Sequence, residues 1–130
     1  MNKLNLLRAA NYIEKIPQSA FSMRLFRSGD EKTHECGAIG CVIGHCTVLD
    51  APENLPLYKN NGGINFWRWS ENFFGCKVHS PEWEWCFSSN WKGVDNTPTG
   101  AAARIRYLVK NGVPENRRKQ MLGYEQVCYK

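Results

Sequence analysis

The sequence predicts a mainly α protein: a compact single-domain bundle of about five helices over residues 1–130, with a candidate short strand at the C-terminal end. Three observations carry this. Two helix starts are written as a capping residue followed by proline, Ser80-Pro81-Glu82 and Thr97-Pro98, where the side-chain oxygen satisfies a free amide and proline needs none. Apolar residues recur at helical spacing from Leu4 to Ile16 and from Ala101 to Val109. Hydrophobic residues make up 42% and aromatic residues 12% of 130 positions, enough to build a core without cross-links.

In chain order, residues 3–16 read as an amphipathic helix with Leu4, Leu7, Tyr12, Ile13 and Ile16 on one broad face, stopped by Pro17. Phe21, Met23, Leu25 and Phe26 form a short apolar patch, and the polar run Arg27 to Glu35 with Gly29-Asp30 reads as a loop. A second helix is expected from about Gly37 to Leu49, ended by Asp50-Ala-Pro52. The connection from Glu53 to Gly63 carries two prolines and Asn60-Asn-Gly-Gly63, and is read as a long loop. Ile64 to Phe74 is the third helix, closed by Gly75 just beyond its end. Ser80 and Thr97 open the fourth and fifth, the last ending at Asn111-Gly112 with Pro114 beyond. Glu115 to Leu122 is a further short candidate, and Tyr124 to Tyr129 alternates weakly as an edge strand would. All five tryptophans lie between Trp67 and Trp91, so that stretch is expected to anchor the core.

The stretch from His34 to Cys46, HECGAIGCVIGHC, is where chemistry would be sought first. Cys41 and His45, four apart, would share a helix face as zinc ligands do, with Cys36 approaching from the preceding turn and Cys76, His79 or Cys86 as the fourth ligand. The close C-x2-C pairs of structural zinc sites are absent, and reduced cysteine packs as a small hydrophobe. Gly37, Gly40 and Gly44 give a strip without side chains on the expected helix. Each costs it about 1 kcal/mol of propensity, a loss that close packing against a large neighbour offsets. The favoured reading is therefore structural, with Gly37, Gly40, Cys41 and Gly44 packing against indoles such as Trp83 and Trp85. Zinc is the alternative, and no other cofactor is expected.

A thiolate–imidazolium pair of Cys41 and His45 would lack the third group that orients the base in such enzymes. Glu82 and Glu84 face different ways on a helix, and no phosphate-binding glycine loop is present. No catalytic residue is assigned, and the chain is expected not to be an enzyme.

Charge points toward binding. Residues 1–103 carry ten basic and ten acidic residues, whereas from Arg104 onward seven are basic and two acidic, which accounts for the net +5. Arg104, Arg106, Tyr107 and Lys110, continued by Arg117, Arg118 and Lys119, form a candidate binding face; cations beside a phenol suit nucleotides or single strands. No segment has the length of a membrane span or the pattern of a targeting signal, so a cytoplasmic location and no membrane partner are expected.

Cys36-Gly-Ala-Ile-Gly-Cys41-Val-Ile-Gly44, then Phe73-Phe-Gly75, Trp85-Cys-Phe87 and Thr97-Pro98 with Ala101-Ala-Ala103, follow one another in a suggestive order. Over most of residues 12–112 the chain resembles small uncharacterised phage and bacterial proteins with a C-G-T-x-x-C-x-x-G-H/W helix followed by a T-P-x-x-A-A helix. Ala38 stands where that pattern has threonine. The resemblance implies a compact helical fold and a phage-type origin. On that analogy the expected function is a non-enzymatic accessory protein that binds and antagonises a host defence or regulatory component, its partner a host protein or a nucleotide signal in the host cytosol. The alternative is a small basic nucleic-acid-binding protein, zinc-stabilised or not.

Overall fold

A computed structural model describes residues 1–23, 41–60, 63–88 and 95–115. It is mainly helical. The described α-helices are α1 (Lys3–Ile13), α2 (Val42–Cys46), α3 (Phe66–Phe74), α4 (Pro81–Phe87) and α5 (Pro98–Asn111). Short 3-10 turns occupy Gln18–Ala20, Thr47–Leu49 and Pro52–Tyr58, and two antiparallel strands, β1 (Lys59–Asn60) and β2 (Gly63–Ile64), pair Lys59 with Ile64.

The centre of the assembly is α1, which packs against α5, α2 and α3, while α4 lies on α5. Its buried face is Leu6, Ala9, Ala10 and Ile13. This corrects the broad face expected from the sequence, since Leu4 and Leu7 are exposed. Alanine explains the difference: Ala9 and Ala10 on α1 and Ala101 and Ala102 on α5 are wholly buried, and their small side chains let the two backbones come close. Ile105 and Leu108 complete the α5 side of the seam. The helix also ends at Ile13, before Pro17.

Capping follows the sequence closely. Ser80 and Thr97 accept the amides of Trp83 and Gly100 at 3.2 Å each, and Asn2 and Asn65 cap α1 and α3 in the same way. Gly75 closes α3 with φ 66°, where its amide reaches the Glu71 carbonyl. A side chain there would also lie 2.9 Å from the Asn2 nitrogen, so conformation and space both demand glycine. Gly100 is fixed by space alone, because a Cβ would stand 2.2 Å from the Asp95 carbonyl oxygen.

Aromatic residues fill the interior as expected. Trp69 and Phe74 are fully buried, and Phe73, Trp83, Trp85 and Phe87 nearly so. Trp69 stacks on Phe73 at 4.8 Å, and Phe74 meets Phe73 edge-on and tilts against Phe87. Trp67 departs from the pattern, at 43% exposed.

Two expectations need correction. The connection from Glu53 to Gly63 is not a structureless loop but a 3-10 turn followed by the β1–β2 pair, with Asp50 nucleating the turn. Its carboxylate accepts Ala51 N at 2.8 Å and the Asn54 amide at 3.0 Å. The second helix is shorter than expected and starts after Cys41, which is extended (φ −86°, ψ −174°). Burial of Val42 and Ile43 supplies the tertiary contact that a short glycine-containing helix requires, and the extended Cys41 places its own side chain in the core. Gly37, Gly40 and Cys36, the expected 115–122 helix beyond Glu115 and the 124–129 strand lie outside the described residues.

Candidate functional site: two clefts flanking α3

The residues singled out from sequence do not converge on one site. Cys41 and His45 are joined through the backbone, His45 N donating to Cys41 O at 3.0 Å. The His45 Nε2 lies 2.6 Å from the Ala20 carbonyl oxygen, and the ring stacks on Phe21. That contact commits Nε2 and leaves Nδ1 as the ring nitrogen that a metal would use. Burial pushes the Cys41 thiol up, more than the nearby amides of Gly44 and Ile43 draw it down. Burial likewise raises Cys46 and Cys86 far above the usual thiol range and lifts Cys76 to about 11. Among the described residues no group of three or more His, Cys, Asp or Glu side chains could hold a metal ion.

The C-terminal basic face divides. Arg104 is not on it: the residue is 6% exposed, its carbonyl accepts the Trp85 indole N–H at 3.1 Å, and its Nη2 donates to Asn96 at 3.0 Å. Its position on α5 turns it inward with Ala101, Ile105 and Leu108. Arg106 straps α5 to α1, donating to Glu14 at 2.8 Å and Asn11 at 2.9 Å. That bond holds the Glu14 carboxyl below its usual range and raises the Arg106 guanidinium. Tyr107, 44% exposed, meets Trp85 edge-on, and Lys110 beside it on the helix is exposed. Arg117, Arg118 and Lys119 lie outside the described residues. Trp83 and Trp85 are buried, and their indole nitrogens serve Ser70 on α3 and Arg104 on α5.

Two concave surfaces formed by described residues lie elsewhere, on either side of α3. The first, about 430 Å³, opens between α1, the 3-10 turn at Pro52–Tyr58 and α3. Arg8 is its cation. Its Nη1 donates to Asn5 at 3.1 Å, its Nη2 to the Leu49 carbonyl at 2.8 Å, and its carbon lies 6.0 Å from the centre of the Phe73 ring. Asn5 is itself fixed by donating to the Phe73 carbonyl at 2.8 Å. Asn72 donates to the Tyr58 hydroxyl at 2.9 Å, and Asp50, which accepts the Trp69 indole N–H at 3.0 Å, forms the floor. The result is one guanidinium with two of its donors committed, held among carboxamides and a phenol.

The second cleft, about 440 Å³, is lined by Asn65, Trp67, Arg68, Glu71, Val78 and His79. The His79 Nδ1 lies 2.7 Å from the Glu84 carboxylate; the two side chains are 47% and 10% exposed. His79 has φ 67°, a left-handed conformation that costs a residue with a Cβ about 1–3 kcal/mol and collects at functional sites. Trp67 stacks on Trp83 at 5.3 Å and lies 5.3 Å from the imidazole.

Arg8 was missed because it sits in no motif and reads as one charge in an amphipathic helix. His79 reads from the sequence only as one candidate for a fourth zinc ligand, beside Cys76 and Cys86, and not as part of a binding cleft. The exposed position of Arg8 beside Asn5 was the only local signal for the first cleft. Comparison with protein-family models, curated proteins and solved structures finds no match. No described helix is long and apolar enough to cross a membrane.

Proposed function

We propose that this chain is a non-enzymatic binding protein, a phage-type accessory factor that antagonises a host defence or regulatory component by capturing a nucleotide signal, and that the Arg8 cleft holds the ligand's phosphate. The observation that carries the reading is the fixation of Arg8. Its guanidinium is oriented before any ligand arrives by Asn5, the Leu49 carbonyl and the Phe73 ring, and so loses little freedom on binding. Guanidinium is the side chain best suited to phosphate oxygens, and Asn54 and Asn72 beside it can meet the polar edge of a nucleotide. The raised thiols count against a cysteine nucleophile, because the thiolate is the reactive form.

The test is calorimetric titration with nucleoside monophosphates, diphosphates and cyclic nucleotides at low and moderate salt. Binding of at least one should weaken about tenfold or more in Arg8→Ala, in line with the loss of a charge-assisted hydrogen bond. Cys41→Ser should bind normally if it folds. Affinity that is indifferent to Arg8→Ala would sink the reading. The rival is a nucleic-acid-binding protein, for which the exposed Tyr107 and Lys110 on one face of α5 speak. It predicts DNA or RNA affinity that falls steeply with salt and drops in Lys110→Ala, with Arg8→Ala neutral.

A further inference from the structure

The second cleft differs from the first in chemistry as well as position. The two clefts flank α3 and share no lining residue. Trp67 presents a large indole surface to solvent although its neighbours Trp69 and Trp83 are buried. It is also braced: Trp83 lies nearly parallel to it (16°). The Trp67 carbonyl accepts the Ser70 hydroxyl at 2.8 Å, and Ser70 in turn accepts the Trp83 indole N–H at 3.0 Å. An aromatic platform is thus held in place by a buried hydrogen-bonded pair.

Polar groups ring that platform, and each is oriented. Glu84, almost buried, holds His79 through Nδ1 and so directs the other edge of the ring. The chain accepts a left-handed backbone at His79 in the arrangement that puts the imidazole there. Glu71 accepts Val78 N at 3.0 Å through one oxygen of its carboxylate. Asn65 uses its carboxamide oxygen to cap α3, which orients the amino group, and Arg68 adds a guanidinium. Donors and acceptors therefore line the cleft beside a flat apolar surface. A simple hydrophobic contact would not require them, whereas a planar ring with donors and acceptors on its own edge would use both.

We propose that this cleft is a second ligand site, which takes a planar heteroaromatic ring of the nucleobase type, stacked on Trp67 and hydrogen-bonded at its edge by His79. Stacking supplies affinity, because every base has a π-face, and the oriented imidazole selects a ring with a polar edge over a plain aromatic one. The site is independent of Arg8 and survives failure of the phosphate reading.

Adenosine tests it, since a nucleoside without phosphate gives Arg8 nothing to hold. In titrations of the full chain followed by the indole N–H signals in NMR spectra, adenosine should shift the Trp67 resonance in a saturable way. Trp67→Ala, read by calorimetry because the reporter indole is gone, should weaken binding about tenfold, the size of one lost base–aromatic stack, and Trp67→Phe should restore most of it. His79→Asn, which tolerates the left-handed backbone, should weaken binding while the fold persists. Arg8→Ala should change nothing. The Trp67 resonance of the wild type decides the matter even if Trp67→Ala fails to fold. No saturable shift in the wild type, a calorimetric affinity unchanged in both Trp67→Ala and His79→Asn, or loss of binding in Arg8→Ala would each overturn the proposal. Tighter binding of N-acetyl-tyrosinamide than of adenosine would also overturn it, in favour of a peptide aromatic side chain.

Discussion

Trp67 and Trp69 stand two residues apart on one helix, yet one forms the wall of a cleft and the other is sealed in the core. Helical geometry turns positions two apart by some 200°, so a single helix presents one indole to Asp50 and the other to Trp83 on α4. Two of the three histidines, His45 and His79, divide in the same way. His45 spends its Nε2 on a backbone carbonyl and stacks on Phe21 within the packed layer, whereas His79 is held by a carboxylate at the edge of open space. Residue type does not assign the role. What does is the partner that fixes the polar atom and the space left beside the ring.

This contrast between a closed interior and an open corner can be broken in graded ways. The largest effect belongs to Trp69→Ala, which should cost about 3–5 kcal/mol, because it empties the core and removes the donor that Asp50 holds. Trp67→Ala should cost clearly less, since a large part of its indole already faces water. Equilibrium denaturation of the pair measures the difference, and equal losses would mean that Trp67 is core too.

Next comes Gly75→Ala, at about 1–3 kcal/mol, from a left-handed residue forced to carry a Cβ against the Asn2 backbone. Chemical denaturation should record it without a change in the adenosine-dependent indole shift. A smaller effect, about 1 kcal/mol or less, is expected for His79→Gly: relief of backbone strain opposes loss of the Glu84 bond, so the melting temperature should move little. His45→Ala should destabilise more, losing a part-buried hydrogen bond and a ring contact with no strain to relieve.

The smallest effect is electrostatic. The folded-state pKa of Glu14 is lowered by Arg106, so its contribution is present above the carboxylate's unfolded pKa and lost as pH falls through the lower folded value. Glu14→Gln should flatten that part of the acid-side stability profile and leave stability at neutral pH almost unchanged, because the pair is exposed and screened. Thermal melts between acid and neutral pH check the slope.

Much of the helical framework was legible in the sequence, for reasons that act within a few residues. Ser80-Pro81, Thr97-Pro98 and Gly75 mark ends because capping and left-handed φ are local requirements, and the structure places α4, α5 and the close of α3 there. The face of α1 was misread because Leu4 and Leu7 have the same local hydrophobicity as Leu6. Only the approach of Ala101 and Ala102 decides which side is buried. The helix expected after Cys36 is too long, because Cys41 is extended and α2 begins only at Val42, a break that glycine spacing does not mark.

The sequence by itself determined a helical chain, its capped ends and its aromatic interior, since these follow from backbone preference and from the burial of large apolar groups. The tertiary structure alone decided which polar groups meet. Arg8 found Leu49 and Phe73, Arg104 turned inward to Trp85 and Asn96, and Trp67 came to rest on Trp83, through contacts between residues far apart in the chain. A cleft is the space left between such elements, and no local pattern records it.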